Sequence, residues 1–131
     1  MRCLVNWART RAGAGGLRSA PRLNRSARMR AAEIQRCGQF SHTPCGDSFI
    51  RVFIASGYLG ASGTVAENLA WGSSTLGSAR VALTSWLASS SHRHNLLGRG
   101  WRDVGVAIVK ANSLFGVANV EVWVVQFGRR G

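Results

Sequence analysis

The chain has 131 residues, enough for one domain with a single core and too few for two. Hydrophobic residues make up 46% of the sequence and charged residues 17%, a balance that excludes an intrinsically disordered chain. The formal net charge of +12, from 17 basic residues against 5 acidic ones, excludes a surface of balanced charge and favours either an anionic partner or a solvated basic face.

Apolar periodicity predicts four helices, over residues 4–12, 21–36, 47–58 and 78–90. The second helix has the clearest pattern, because Leu23, Ala27, Ala31 and Ile34 recur at intervals of three and four, with most of its arginines off that stripe. Residues 59–77 are rich in glycine, serine and threonine, so we expect a loop around one short apolar piece.

Beyond Trp101 the sequence becomes rich in β-branched residues. Residues 104–110 and 117–127 read as two strands of a hairpin whose loop is longer than two residues. Both faces of the second strand are largely apolar, so we expect both to be covered. Helices followed by strands around a doubly covered sheet predict an α+β sandwich, a single domain spanning residues 1–131.

The basic residues are unevenly distributed, since nine of the 17 fall within residues 1–36. Dense positive charge attracts polyanions such as nucleic acid, anionic lipid or acidic cell-wall polymer, but it equally describes a solvated helical face. The basic residues lack interleaved aromatic residues, and no nucleic-acid-binding motif occurs. Nucleic acid is therefore the least favoured of these partners, whereas anionic surfaces stay open.

Three cysteines occur, at Cys3, Cys37 and Cys45. A disulfide between Cys37 and Cys45 would enclose His42 in a ring with seven intervening residues and would contribute about 2.5 kcal/mol to stability. Because three is an odd number, one thiol stays free or pairs elsewhere, and Cys3 could replace either partner. A zinc site on two cysteines and His42 is the competing interpretation, although its spacing is irregular.

The residues with candidate chemistry are His42, Glu67, Ser89, His92 and His94. Glu67 is interpreted either as a helix-start carboxylate or as a ligand or general base. Two histidines separated by one residue are a weak metal signal. The serines beside His92 suggest a nucleophile–base pair, but the GxSxG motif is absent and only Asp47 or Asp103 could orient the imidazole, so a serine hydrolase is disfavoured.

Several short motifs occur in a fixed order along the chain. They are CLVNWART (3–10), RLNRSARMRAAEI (22–34), FSH (40–42), AENLAWG (66–72), SWLASSSHRHNLL (85–97), DVGVAI (103–108) and WVVQFG (123–128). Each motif alone is weakly specific, but the ordered set covers nearly the whole chain. It resembles the bacterial branch of the CAP superfamily (cysteine-rich secretory, antigen 5 and pathogenesis-related 1), also called SCP-like extracellular proteins.

The resemblance implies an α–β–α sandwich around a small antiparallel sheet, with a cleft that gathers histidine and acidic side chains. In that family pattern, His42, Glu67 and His92 occupy the cleft. Ser89 stands where eukaryotic members usually have a second glutamate, so the implied site is a His-Glu-His triad. His94 replaces a usually small residue and is expected to add an imidazole near the cleft.

The function implied by the resemblance is that of a secreted binding protein for a small molecule, a lipid or a cell-wall glycan. A divalent cation such as zinc, held by His42, His92 and Glu67, is a further expectation, and so is a role for Glu67 in orienting one imidazole. The alternatives are a metal-assisted peptidase or esterase with Glu67 as base, and a polyanion-binding module using the Arg-rich amino-terminal helices. No required cofactor is expected.

The expected localisation is extracellular or at the cell envelope, although Asn6, Arg9 and Arg11 break the amino-terminal apolar patch and leave no signal peptide in the sequence. We therefore expect a leader or other region upstream of Met1. We also expect a monomer. The tryptophans at 71, 86, 101 and 123 either line the cleft or fill the core, and usual burial favours the core.

Overall fold

The computed structural model describes all 131 residues, as five helices and a four-stranded sheet. The helices are α1 (Arg2–Arg11), α2 (Pro21–Cys37), α3 (Arg51–Ala55), α4 (Ala79–Ala88) and α5 (Ser90–Leu97). The strands are β1 (Arg18–Ser19), β2 (Gly63–Ser73), β3 (Asp103–Leu114) and β4 (Val117–Arg130). Short 3-10 turns occupy Pro44–Gly46 and Ser74–Gly77.

The strand order in the sheet is β1-β3-β4-β2. The β3–β4 hairpin forms its centre, β1 pairs with β3 in parallel, and β2 pairs with β4 in the antiparallel sense over its whole length. The register places Glu67 opposite Gln126 and Asp103 opposite Gly128. Because β2 pairs only with β4, its other edge is open to segments from the helical layers.

Two apolar layers enclose the sheet, as the sequence of β4 predicts. On one face, Trp86 of α4 and Leu96 of α5 pack with Val125 and Phe127, together with residues of α1. On the other, the stripe of α2 packs on Leu69, Val122 and Val124. The alternation along β4 thus supplies both halves of the core, and the α–β–α sandwich is confirmed.

Four predicted features differ in the structure. The hairpin loop, expected to be longer than two residues, contains only Phe115 and Gly116 between β3 and β4. The prediction of a loop over 59–77 is wrong, because β2 occupies most of this segment. The small residues of β2 show little hydrophobic alternation, and pairing with β4 stabilises the strand. The helix expected over 47–58 is shortened to α3. The helix over 78–90 ends at Ala88, since Ser89 has an extended backbone (φ −104°, ψ 123°), and α5 then begins.

The cysteine pairing that the sequence left open is resolved. Cys37 and Cys45 form the disulfide, with their Cα atoms 5.5 Å apart, and Cys3 is a free, exposed thiol. None of the five helices is long and apolar enough to cross a membrane.

Candidate functional site

The open edge of β2 is where the two helical layers meet. Neighbouring residues in a strand point to opposite faces, so Glu67 projects toward α2 and Asn68 toward α5. The side chain of Glu67 contacts Arg30 of α2, and Asn68 Nδ2 donates to the carbonyl oxygen of His92 at 2.9 Å. This short piece of β2 therefore joins the segment that carries His42 to the helix that carries His92.

A constrained loop presents His42. Gly38 ends α2 in the left-handed region (φ +61°), a conformation that glycine adopts without steric cost. The disulfide then closes the loop, and the backbone N–H of Cys45 donates to the side-chain oxygen of Gln39 at 2.7 Å. The His42 side chain stays about half exposed (49%), with its Nδ1 atom 2.8 Å from Oε1 of Glu67.

Glu67 is a completely buried carboxylate with all of its partners supplied by the protein. Its Oε1 atom contacts His42, while Oε2 accepts hydrogen bonds from Nε of Arg30 at 3.1 Å and from Nε2 of Gln126 at 2.7 Å. A buried carboxylate is tolerated when it is paired and hydrogen-bonded. These contacts fix the carboxylate and, through it, the orientation of the His42 ring.

Arg30 and Gln126 were missed by the sequence analysis, which did not single out either residue. Arg30 is fully buried, and it also donates to Glu33 at 3.3 Å and to the carbonyl oxygen of Phe49 at 2.6 Å. A signal existed in both cases. Arg30 lies three residues after Ala27, on the apolar stripe of α2, and Gln126 continues the apolar face of β4. Polar residues on such faces indicate a buried polar network.

His92 lies near the start of α5, with its Nδ1 atom 2.9 Å from Oγ of Ser89. Burial of the ring, together with the nearby His42, lowers the pKa of His92 from its ordinary value. Asn95 supports the arrangement from the next turn, since its Nδ2 atom donates to Oδ1 of Asn68 at 3.1 Å. The two imidazoles thus approach the β2 edge from opposite layers.

His94 does not join this group. It lies two residues after His92 on the same helix, a spacing that turns the two side chains to different sides. The structure places His94 in a separate open concavity of about 460 Å³, beside Leu87, Arg93 and Leu97. The expectation of an additional imidazole near the cleft is therefore not met.

The expected three-ligand metal set does not fit the observed contacts. No three histidine, cysteine, aspartate or glutamate side chains are grouped so that they could hold a metal ion. Both oxygens of Glu67 already accept hydrogen bonds. On the rings of His42 and His92, only the Nε2 atoms make no hydrogen bond. Glu67 therefore acts as a hydrogen-bond partner of His42 and is not available as a metal ligand.

The hydrolytic alternatives find no support in these contacts. Ser89 and His92 are in contact, but neither possible orienting acid faces them: Asp47 lies against Arg51, and Asp103 is bonded to Arg18 and Tyr58. Glu67 cannot reach a substrate water, because its side chain is 0% exposed. Neither an acyl-transfer triad nor a glutamate base is therefore assembled.

Partly exposed aromatic rings lie beside His42 and along the Glu67 face of β2. Phe49 packs edge-on against His42, with ring centroids 6.2 Å apart. Phe115 lies between Phe40 and Trp71, with centroid distances of 6.1 and 5.3 Å. Trp71 shares the Glu67 face of β2 and is 39% exposed, contrary to the expectation of a core position, whereas Trp86 is buried in the core as expected.

The comparisons with known proteins agree with this architecture. The model of the CAP family, described as the cysteine-rich secretory protein family, matches residues 3–127. An outer surface protein of Borrelia burgdorferi superimposes with a TM-score of 0.82 at 21% identity, covering 99% of this chain and 90% of that one. An extracellular protein containing an SCP domain from Bacillus anthracis gives a TM-score of 0.76 at 22% identity, covering 98% of this chain and 40% of that one.

No protein of curated function matches the sequence significantly. The family model nevertheless spans almost the full chain, and the two structural neighbours share its fold. The chain belongs to the CAP family.

Proposed function

We propose that this chain is an extracellular binding protein whose ligand contacts Nε2 of His42 and Nε2 of His92 at the open edge of β2. The observation that carries the proposal is the contact between His42 and Glu67. A completely buried carboxylate, held by Arg30 and Gln126, fixes one ring nitrogen of a half-exposed histidine at 2.8 Å. Such an arrangement sets the ring orientation and leaves the opposite nitrogen available to a ligand.

The ligand class that the surroundings favour is a cell-wall glycan. The partly exposed rings of Phe40, Trp71 and Phe115 offer apolar faces, while the two imidazoles exchange hydrogen bonds with hydroxyl groups. A sugar has both an apolar face and hydroxyl edges. A lipid is another ligand class that the family resemblance implies, and it serves as the comparison in the test.

Titration calorimetry with soluble cell-wall glycan fragments tests this proposal. We expect binding by the wild type and at least a tenfold loss of affinity in His42→Ala, because the ligand loses its fixed imidazole. His94→Ala is the matched control, since His94 is exposed in a different concavity, and it should bind as the wild type does. Equal loss in both variants, or binding of fatty acid in place of glycan, would contradict the proposal.

A divalent cation such as zinc would find the same two Nε2 atoms in this cleft. Glu67 would then support His42 from behind, because carboxylates commonly orient the second nitrogen of a metal-bound histidine. Zinc calorimetry should give heat with the wild type and with His94→Ala, and none with His42→Ala. Equal heats from the wild type and His42→Ala would remove the cation from the proposal.

The extracellular assignment rests on two observations. The Cys37–Cys45 disulfide fits an oxidising compartment, and the two structural neighbours are described as an outer surface protein and an extracellular protein. Mass spectrometry of the protein from culture medium or envelope fractions should find this pair oxidised and Cys3 not bridged to either cysteine. Recovery of the chain only from the cytosol with reduced thiols would overturn the assignment.

A further inference from the structure

A second concave surface lies at the end of the sheet where β1, β3 and β4 adjoin. It is open, has a volume of about 450 Å³, contains no hydrophobic side chain and is lined by Gly16, Arg18, Arg102, Arg129 and Arg130. We call this surface the arginine concavity. Its residues belong to none of the contacts that build the cleft at the β2 edge.

Strand register explains why four arginines distant in sequence converge. Arg18 pairs with Asp103 across β1 and β3, which places Arg102 directly before that pair. Asp103 in turn lies opposite Gly128 on β4, so that Arg129 and Arg130 follow at the same end of the sheet. Two backbone hydrogen bonds link these strand ends. The N–H of Arg18 donates to the carbonyl oxygen of Arg102 at 3.1 Å, and the N–H of Arg102 donates to that of Gly128 at 3.0 Å.

The charge of the arginine concavity is mostly uncompensated. The chain has five acidic residues, and all five already contact a basic group. The pairs are Glu33 with Arg30 and Arg51, Asp47 with Arg51, Glu67 with Arg30 and His42, Asp103 with Arg18, and Glu121 with Lys110. Arg102, Arg129 and Arg130 therefore have no carboxylate within 4.0 Å, and the surface keeps three unpaired positive charges.

A buried carboxylate holds one of these arginines in place. Asp103 is only 2% exposed, and its Oδ1 atom accepts from Nε of Arg18 at 2.6 Å while Oδ2 accepts from the hydroxyl of Tyr58 at 2.8 Å. Because Arg18 uses only its Nε atom here, both terminal guanidinium nitrogens stay free. The hydrogen bond to Asp103 also keeps the pKa of Arg18 above its ordinary value.

The ring of Tyr58 forms the floor beneath a second arginine. The guanidinium carbon of Arg130 lies over it at 5.9 Å from the centroid, a cation–π distance. A Cβ atom at Gly128 would overlap this ring, so the glycine allows Tyr58 to lie against β4. The positions of Arg18 and Arg130 are thus fixed by the same buried pair of side chains.

We propose that the arginine concavity binds a multivalent phosphate. Guanidinium groups recognise phosphate through paired, charge-assisted hydrogen bonds, and several around one hollow suit a ligand with more than one negative charge. Because no hydrophobic side chain lines the arginine concavity, we expect it to recognise the phosphate groups of the ligand and no apolar part. Only Arg18 comes from residues 1–36, so this surface differs from the Arg-rich amino-terminal helices considered from the sequence. It is independent of the proposed glycan cleft.

Calorimetry with inorganic tripolyphosphate at low ionic strength is the direct test. We expect the double variant Arg102→Gln with Arg129→Gln to lose at least tenfold in affinity. The matched control is Arg25→Gln with Arg28→Gln, which removes the same two charges from exposed positions on α2. We expect less than a twofold change in that control. Equal losses in the two double variants, or no binding by the wild type, would overturn the proposal.

The source of the phosphate is distinguished by vesicle sedimentation. Vesicles containing phosphatidylglycerol should retain the wild type and not the Arg102→Gln, Arg129→Gln variant if the ligand is a lipid headgroup at a membrane surface. Binding of tripolyphosphate without retention on these vesicles would identify a soluble phosphate. Retention that is equal for both proteins, or on phosphatidylcholine vesicles alone, would count against a phosphate site. Both proteins must show the same circular dichroism, since the replaced side chains are exposed.

Discussion

Arginine has opposite surroundings at the cleft and at the arginine concavity. Arg30 is fully buried beside Glu67, and it donates to Glu67, Glu33 and a backbone carbonyl oxygen. Arg102 and Arg129 are exposed and contact no carboxylate. Three of the five acidic residues, Glu33, Glu67 and Asp103, are buried and each is bonded to an arginine, so few carboxylates are left to balance the positive surface. The net charge of the chain does not distinguish buried, paired arginines from exposed, unpaired ones.

The comparison predicts its largest effect for a matched pair of arginine replacements. Arg30→Gln should lower the free energy of unfolding by about 3–5 kcal/mol, because Glu67 would be left buried without its arginine, while Glu33 would keep only Arg51. Arg129→Gln should change it by less than about 0.5 kcal/mol, since it removes an exposed, unpaired charge. Urea unfolding monitored by tryptophan fluorescence measures both. Similar values for the two variants would refute the difference between the two environments.

A smaller effect is expected at Gly128, which packs against Tyr58 beneath Arg130. Gly128→Ala places a methyl group into the ring of Tyr58 and should cost about 1–3 kcal/mol through overpacking. Displacing Tyr58 also removes the hydroxyl donor of Asp103, so tripolyphosphate affinity should fall severalfold. Gly100→Ala is the control, because its added Cβ atom would meet nothing within 4 Å. Unchanged tripolyphosphate affinity in Gly128→Ala would show that the position of Tyr58 does not influence phosphate binding.

The smallest effect concerns the pH dependence of stability at the cleft. Burial and the nearby His42 lower the pKa of His92 in the folded state below its ordinary 6.5. The unfolded chain therefore takes up the proton first, and this contribution to stability is complete above pH 6.5 and is lost as the pH falls below it. His92→Gln should flatten the dependence between about pH 7.5 and 5.5 in urea unfolding, whereas His94→Gln should preserve it. An unchanged slope in His92→Gln would show that another group titrates.

The fold was predictable wherever side-chain periodicity is strong. The stripe of α2 and the alternation of β4 gave the two helical layers and the doubly covered sheet. The strand β2 was not predictable in the same way, because alanine, glycine, serine and threonine carry little hydrophobic alternation. Its conformation depends on pairing with β4, which is nearly sixty residues away in sequence. Such non-local pairing is invisible to a local pattern.

The candidate site shows the same limit. Family motifs indicated His42, Glu67 and His92, and the structure brings His42 and Glu67 into direct contact. Ligand binding by these residues stays a prediction. The role of Glu67 differs from that of a metal ligand, because its partners Arg30 and Gln126 occupy both oxygens, and only tertiary packing reveals them. The arginine concavity was equally hidden, since strand register alone unites residues 18, 102, 129 and 130.

The disulfide closes the segment that presents His42. Closing the ring of nine residues from Cys37 to Cys45 contributes about 2.5 kcal/mol by reducing the freedom of the unfolded chain. His42 lies inside that ring, with its Nδ1 atom 2.8 Å from Oε1 of Glu67, so the ring restricts the backbone that positions this histidine. For the proposed binding function, we therefore expect a chain with Cys37 and Cys45 reduced to bind its ligand more weakly than the oxidised chain. In the extracellular binding protein proposed above, oxidation of this pair would therefore act as a maturation step for binding.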